Sequence, residues 1–291
     1  MFTYIGYKIL EIIVILSPYP VSYLIAKFGA RLWFSSGANV RVTQKNVCNV
    51  LDAGISNKKA RRIVLTIFTN WAKNIVDFLK HSVISREKLK ERVDLKGMEH
   101  LNDALKKGRG VVIFTAHIGN FEWGACRIAV EGYDIWGVSL VRKSRLTTKF
   151  FESKRLSKGL KTLYINKMLH VFKILKNNGI VAIPSDWDPT GRASRPFTFF
   201  GKKAYFPTGA LQITLKSGAE FMPSFIWRKG KYNHQQIIDR PLKLIREGDK
   251  ETLIQRNMEM VLKVMEKYIR SHISEWEMFH DIWDKNNPHA L

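Results

Sequence analysis

Residues 111 to 125 read Val-Val-Ile-Phe-Thr-Ala-His-Ile-Gly-Asn-Phe-Glu-Trp-Gly-Ala. The run Val111 to Phe114 is short, uninterrupted and apolar, as expected of a strand buried on both faces in a parallel sheet. Gly119 and Asn120 then supply a turn, and Glu122 opens a helical pattern. Strand, glycine turn and helix in that order make the first part of a βαβ unit. His117 thus stands at the carboxyl end of a buried strand, with a carboxylate five residues on. On a straight helix five residues turn a side chain by about 140°. His117 and Glu122 therefore meet only if His117 lies on the turn and the chain folds back through Gly119. A histidine oriented by a carboxylate is equipped to take a proton from a hydroxyl. The plainer reading, a histidine that completes the packing after a strand, stays open on this spacing alone.

The alternation of elements continues along the chain. Asn57 to His81 carries Ile63, Ile67, Trp71, Ile75 and Phe78 at helical spacing, and Gly97 to Lys107 reads as a shorter helix. Ile135 to Val141 reads as a second strand, and Ile180 to Pro184 as a third. Before the third, a helix over Leu169 to Lys176 closes at Asn177-Asn178-Gly179. Leu211 to Lys216 reads as a helix, Ala219 to Trp227 and Gln235 to Ile238 as strands, and Glu251 to His272 as a long helix. This order predicts an α/β fold: one domain with a mostly parallel central sheet flanked by helices. Sites in such sheets form outside the carboxyl ends of the strands. Polar residues gather there: His117 after one strand, Arg142 after another, and Asp186 and Asp188 after a third. The Ser185-Asp186-Trp187-Asp188 turn is expected near His117.

The 291 residues suffice for one substantial core, and 48 Lys and Arg against 25 Asp and Glu leave a net charge of +23. Such an excess points to an anionic partner. Between Arg142 and Lys173 ten basic residues face a single acid, Glu152; such a run is either a solvated face or a surface for phosphate or an acidic carrier protein. From Arg192 to Ala219 there is no acid. In that segment Thr208 and Gly209 sit near the amino end of the helix predicted over Leu211 to Lys216, whose free N–H groups attract anions. Two cysteines, Cys48 and Cys126, make neither a disulfide framework nor a metal-ligand spacing, and no metal or cofactor is expected. Nucleic acid would also satisfy the charge, but no recognition signature for it is present, so it is not expected as a partner. An α/β hydrolase is disfavoured by the lack of a G-x-S-x-G elbow.

Residues 1–34 are rich in Ile, Leu, Val and aromatic residues, interrupted by Lys8, Glu11, Pro18, Pro20 and Lys27. The longest uncharged stretch, Ile12 to Ala26, falls short of the ~20 residues of a spanning helix. A removable signal peptide is not expected. Two apolar helical pieces joined at Ser-Pro-Tyr-Pro suit an element lying in the membrane interface, although a buried hairpin leaves the same pattern. The expected division is a membrane-associated helical element over 1–34 and a catalytic domain over 35–291.

The setting T-A-H-I-G-N-F-E-W resembles the bacterial lipid A biosynthesis (lauroyl/myristoyl) acyltransferase family, within the lysophospholipid acyltransferase superfamily and its H-x(4)-D/E motif. The likeness extends through Gly97-Met98-Glu99, the S-D-W-D turn, F-F-G-K-K-A-Y-F-P-T-G-A, S-G-A-E-F-M-P-S-F and the terminal S-E-W-E-M-F-H-D-I-W. Trp187 replaces the family's usual Gln, and Pro207-Thr208-Gly209 replaces the Pro-Glu-Gly of the glycerol-phosphate branch, which argues against glycerol 3-phosphate as acceptor. The resemblance implies acyl transfer from an acyl carrier protein or acyl-coenzyme A to a hydroxyl of a glycolipid such as a lipid A precursor. A lysophospholipid or a phosphatidylinositol mannoside is the alternative acceptor. It implies His117 as general base, Glu122 orienting it, and no covalent acyl-enzyme. Arg155 would steady phosphate or developing negative charge, and Asp186 would be a secondary polar residue. Arg142, Thr208 and Gly209 are further candidates for substrate binding. The implied location is the cytoplasmic face of the inner membrane, on an anionic surface, peripheral or monotopic.

Overall fold

The computed structural model describes residues 2–51, 54–191 and 194–284; Arg192 of the acid-free basic stretch lies outside them. Four helices come first: α1 (Phe2–Leu16), α2 (Tyr19–Ser35), α3 (Val40–Leu51) and α4 (Asn57–Leu79). Next come α5 (Arg86–Arg92), β1 (Val93–Lys96), α6 (Met98–Leu105), β2 (Val111–Thr115), α7 (Phe121–Ala129) and β3 (Ile135–Ser139). They are followed by α8 (Arg145–Leu156), β4 (Lys161–Tyr164), α9 (Val171–Lys176) and β5 (Ile180–Pro184). The chain continues through β6 (Ser194–Phe199), β7 (Lys202–Pro207), α10 (Gly209–Ser217), β8 (Glu220–Lys229), β9 (Asn233–Ile238) and α11 (Lys250–Ser271).

Seven strands form one sheet in the order β1-β9-β8-β2-β5-β3-β4. Every pairing in it is parallel except β8 with β9. The expected mostly parallel α/β sheet is therefore present. β2 sits at its centre, and its side chains divide by the two-residue period of a strand. Val112 and Phe114 enter a core shared with α9, α10 and α11, whereas Val111 and Ile113 enter one shared with α5, α6 and α7. This double burial is why the segment reads as an unbroken apolar run.

Strands β1 and β4 and helix α5 were not read from the sequence, and three longer parts of the chain differ as well. Residues 194–207, assigned no strand from the sequence, form a β-hairpin: β6 pairs antiparallel with β7 before α10 begins. Phe197, Phe199, Ala204 and Phe206 are buried at alternate positions, but Gly201 and Pro207 mask that period. Helix α8 was hidden inside the basic run because its inward face mixes charged with apolar residues: Thr147, Phe150, Phe151, Lys154 and Arg155 are all buried. Helix α3 was hidden likewise, by Thr43 and Asn46 on its buried side.

The apolar start is a pair of helices packed on α4. Of their charged residues Glu11 is buried, bonded to the half-exposed Lys8 and, across to α8, to the buried Lys154, whereas Lys27 and Arg31 of α2 are exposed. The exposed surface is otherwise rich in apolar side chains, with Ile9, Ile12 and Leu16 of α1 and Leu24, Phe28 and Leu32 of α2 exposed. Among the described residues no helix is long and apolar enough to cross a membrane.

The turn after β2 depends on Gly119, at φ +57°. A Cβ there would stand 2.3 Å from the carbonyl oxygen of Ile226 in β8. Gly119→Ala is expected to lower stability by about 2–4 kcal/mol, combining left-handed backbone strain with a clash against a fixed carbonyl. Urea unfolding followed by circular dichroism checks this; an unchanged midpoint would contradict it.

Candidate active site

The neighbouring parallel strands β2 and β5 set the geometry. Their register pairs Thr115 with Pro184, so the residue two beyond each, His117 and Asp186, come side by side at the carboxyl edge. The backbone pairing runs on past the strands, with the Ser185 N–H donating to the Thr115 carbonyl at 2.8 Å. His117 Nδ1 lies 2.7 Å from Asp186 Oδ1, and the His117 backbone N–H donates to Asp186 Oδ2 at 2.8 Å. A carboxylate only accepts, so Nδ1 carries the proton and Nε2 is left as the basic nitrogen. Asp186 is fully buried, while the His117 side chain keeps 24% exposure. The Phe121 ring meets the imidazole edge-on at 5.1 Å, with Trp187 at 6.2 Å.

The expected contact of His117 with Glu122 is therefore replaced by a hydrogen bond that His117 donates to Asp186, the residue given the secondary part in the sequence reading. The reason is directional. Glu122 lies in the first turn of α7, whose start is capped by Asn120 accepting from the Trp123 N–H at 3.1 Å. Its carboxylate faces α8, where Arg155 grips it with two donors, Nε to Oε2 at 2.8 Å and Nη2 to Oε1. A third donor, Arg155 Nη1, reaches Ser139 Oγ at 3.1 Å. Glu122 still acts on the imidazole through its charge. Arg155 is thus committed to a bidentate pair instead of standing free for an anion.

The remaining candidates fall in different places. Arg142, just past β3, lays its guanidinium over the Phe151 ring at 3.8 Å and makes no carboxylate ion pair among the described residues. Exposed Lys143, Arg145 and Lys149 continue this basic mouth, whereas Lys154, Arg155 and Lys158 of the same run are buried. Thr208 and Gly209 do begin a helix, α10, but Thr208 Oγ1 accepts from Gln212 instead of capping it. Among the described residues no hydrogen bond joins them to His117, Asp186, Glu122 or Arg155. Nor does any group of three or more His, Cys, Asp or Glu suited to a metal occur there. A groove of about 540 Å³ lined by Phe172, Ile213, Leu253 and Ile254 includes the end of α10, which leads into the amino end of β8. It therefore belongs to the other edge of the sheet from His117.

Sequence reasoning gave no site role to Glu275, Trp276 and Glu277. This segment forms an antiparallel bridge to the His117 loop, Ile118 opposite Trp276, and the Trp276 indole donates to Asp186 Oδ2 at 3.0 Å. The S-E-W-E motif was visible in the sequence, but not its contact with a loop more than a hundred residues earlier.

Burial disfavours the charged imidazole, yet the charge and hydrogen bond of Asp186, with Glu122 behind them, outweigh it and raise the His117 pKa above its ordinary 6.5. Burial likewise disfavours the Asp186 carboxylate, but His117 and the Trp276 N–H hold its pKa below the usual range. A base works only when neutral, so activity is expected to rise with pH along a limb centred above that ordinary value. In Asp186→Asn the raising charge is gone, so the limb moves to lower pH while the plateau kcat falls by about two to four orders of magnitude. Glu122→Gln moves the limb the same way, but less. A pH–rate profile of the three proteins checks both, and a limb that stays in place in Asp186→Asn would refute the assignment.

The model for the family described as bacterial lipid A biosynthesis acyltransferase matches residues 1–285. Among curated proteins, phosphatidylinositol mannoside acyltransferases from two strains of Mycobacterium tuberculosis are similar, at 24% and 23% identity over 207 residues, 69% of this chain and 63% of theirs. One from Mycolicibacterium smegmatis is 26% identical over 149 residues, 49% of this chain and 48% of its own. The chain thus spans a little under two thirds of the length of the Mycobacterium tuberculosis relatives it matches. With a family match over nearly every residue, the chain belongs to the bacterial lipid A biosynthesis acyltransferase family.

Proposed function

We propose that the chain is a peripheral membrane O-acyltransferase that moves a fatty acyl group from a thioester to a hydroxyl of a glycolipid. The observation that carries this reading is the Asp186–His117 pair at the carboxyl edge of the sheet. His117 Nε2 takes the proton of the acceptor hydroxyl as its oxygen attacks the thioester carbonyl carbon. The tetrahedral intermediate then collapses, the carbon–sulfur bond breaks, and the departing thiolate recovers the proton from the imidazolium. No acyl-enzyme is required, and Asp186 keeps the imidazole in the working tautomer while stabilising its charge. Glu122 and Arg155 fix the far wall of the site and leave Arg142 as the cation for a substrate phosphate.

The domain reading supports docking on lipid through 1–34, with catalysis in 35–291. At about 1.5 Å per residue α1 and α2 are too short for a ~30 Å hydrocarbon core, but their exposed apolar side chains suit burial in its surface. Exposed Arg142, Lys143, Arg145 and Lys149 suit anionic headgroups or an acidic acyl carrier protein. The acceptor is a glycolipid: the family description favours a lipid A precursor, while the curated relatives' names favour a phosphatidylinositol mannoside.

The test uses palmitoyl-coenzyme A and vesicles of total polar lipid from cells that make the protein, with acylated products read by mass spectrometry. His117→Ala is expected to lower turnover by about a thousandfold or more while leaving the melting curve in place. Turnover near the native rate would end the reading. In flotation assays Leu24→Glu with Phe28→Glu is expected to weaken vesicle binding about tenfold or more, because each buried large apolar side chain contributes about 1.5–3 kcal/mol. Undiminished flotation would remove these helices from the docking surface.

A further inference from the structure

The loop carrying His117 has little support of its own. Within itself, between β2 and α7, it makes two short-range backbone bonds, Ile118 N–H to Ala116 and Phe121 N–H to Gly119. Its firm partners come from the far end of the chain. The Glu277 N–H donates to the His117 carbonyl at 2.7 Å, and the Gly119 N–H donates to the Glu275 carbonyl at 2.8 Å. Between these two bonds the almost fully buried Trp276 reaches beneath the loop to Asp186 Oδ2. That oxygen also accepts the His117 backbone N–H, while Oδ1 faces the imidazole. Asp186 therefore has both oxygens engaged and no freedom to turn.

The segment is itself fastened from outside. Asn70 of α4 donates to Glu275 Oε1 at 2.7 Å and to the Ser274 carbonyl at 3.1 Å. One turn on, Asn74 donates to Glu277 Oε1 at 2.6 Å, and Asn74 Oδ1 accepts from Arg228 Nη2 at 2.6 Å. Arg228 pairs with the buried Asp77, which also accepts from Tyr23 of α2. A row of buried polar residues thus runs from the N-terminal helices to the carbonyl of His117.

We propose that Glu275, Trp276 and Glu277 form a positioning strap, anchored on α4, that holds the His117–Asp186 pair in its working geometry, with the Trp276 indole N–H locking the carboxylate. The proposal rests on His117 being the base. None of the three touches the reacting atoms, so their effect belongs in kcat: a displacement of about 1 Å at a reacting group costs about a hundredfold in rate. Burial pushes Glu275 up to about 7 and Glu277 well above the ordinary carboxylate range, so Glu277 adds little negative charge beside Asp186.

The full-length protein is assayed with palmitoyl-coenzyme A in the same lipid vesicles. Trp276→Phe keeps the ring and removes only the donor. It is expected to lower kcat about ten- to a hundredfold with KM within twofold of the native value, and to displace the His117 Nδ1–H resonance in proton NMR. Glu277→Ala is expected to lower kcat about tenfold or more, and Glu277→Gln, which keeps an acceptor for Asn74, to recover most of it. Native kcat with an unmoved resonance in Trp276→Phe, or equal losses in Glu277→Ala and Glu277→Gln, overturns the strap. If His117→Ala retains turnover, the base assignment has failed, whatever the strap variants do. Melting curves separate either result from unfolding, and the Glu277 pair decides the matter should Trp276→Phe not fold.

Discussion

The lateral pairing of β2 with β5 is the constraint on which the rest depends. Parallel neighbours lie about 4.8 Å apart with a fixed register. Once Thr115 is opposite Pro184, the chain leaving each strand must begin its turn beside the other. His117 and Asp186 meet there through both a side-chain and a backbone hydrogen bond. The partner of the imidazole is set by sheet register, and the nearer carboxylate in sequence is released for other use.

That other use joins the layers. Glu122 is the first acidic group of α7, and its bidentate pair with Arg155 ties α7 to α8 across the carboxyl edge. Lys154, next to Arg155, reaches Glu11 of α1, so one helix links the N-terminal pair with the site. Buried ion pairs add little net stability, because desolvation offsets most of their attraction. Their contribution here is geometric: each side chain has one place in which its donors and acceptors are satisfied.

The same economy shapes the surface. The one acid of the N-terminal helices, Glu11, would oppose contact with lipid, and it is consumed by Lys8 beside it and by Lys154 of α8, while Lys27 and Arg31 of α2 stay exposed. The basic run after β3 is divided in the same manner, part buried as structural partners and part exposed around Arg142. Net charge alone could not distinguish these fates, since a lysine at a helix interface and one in solvent contribute equally to a sum.

The sequence by itself determined the α/β class, β2, β5 and their flanking helices, and the gathering of polar residues at the carboxyl ends of strands. Those features follow from short-range periodicity and turn chemistry, which residues near in sequence express. His117 was legible because it ends such a strand. Only the tertiary structure decided that Asp186 holds it, that Glu122 holds Arg155, and that Trp276 bonds Asp186 from beneath the His117 loop. The hairpin of β6 and β7 and the inward face of α8 also emerged only there. The hairpin was masked by Gly201 and Pro207; the others depend on register between strands far apart in sequence, or on charges whose burial is made tolerable by partners that only the folded chain brings into reach.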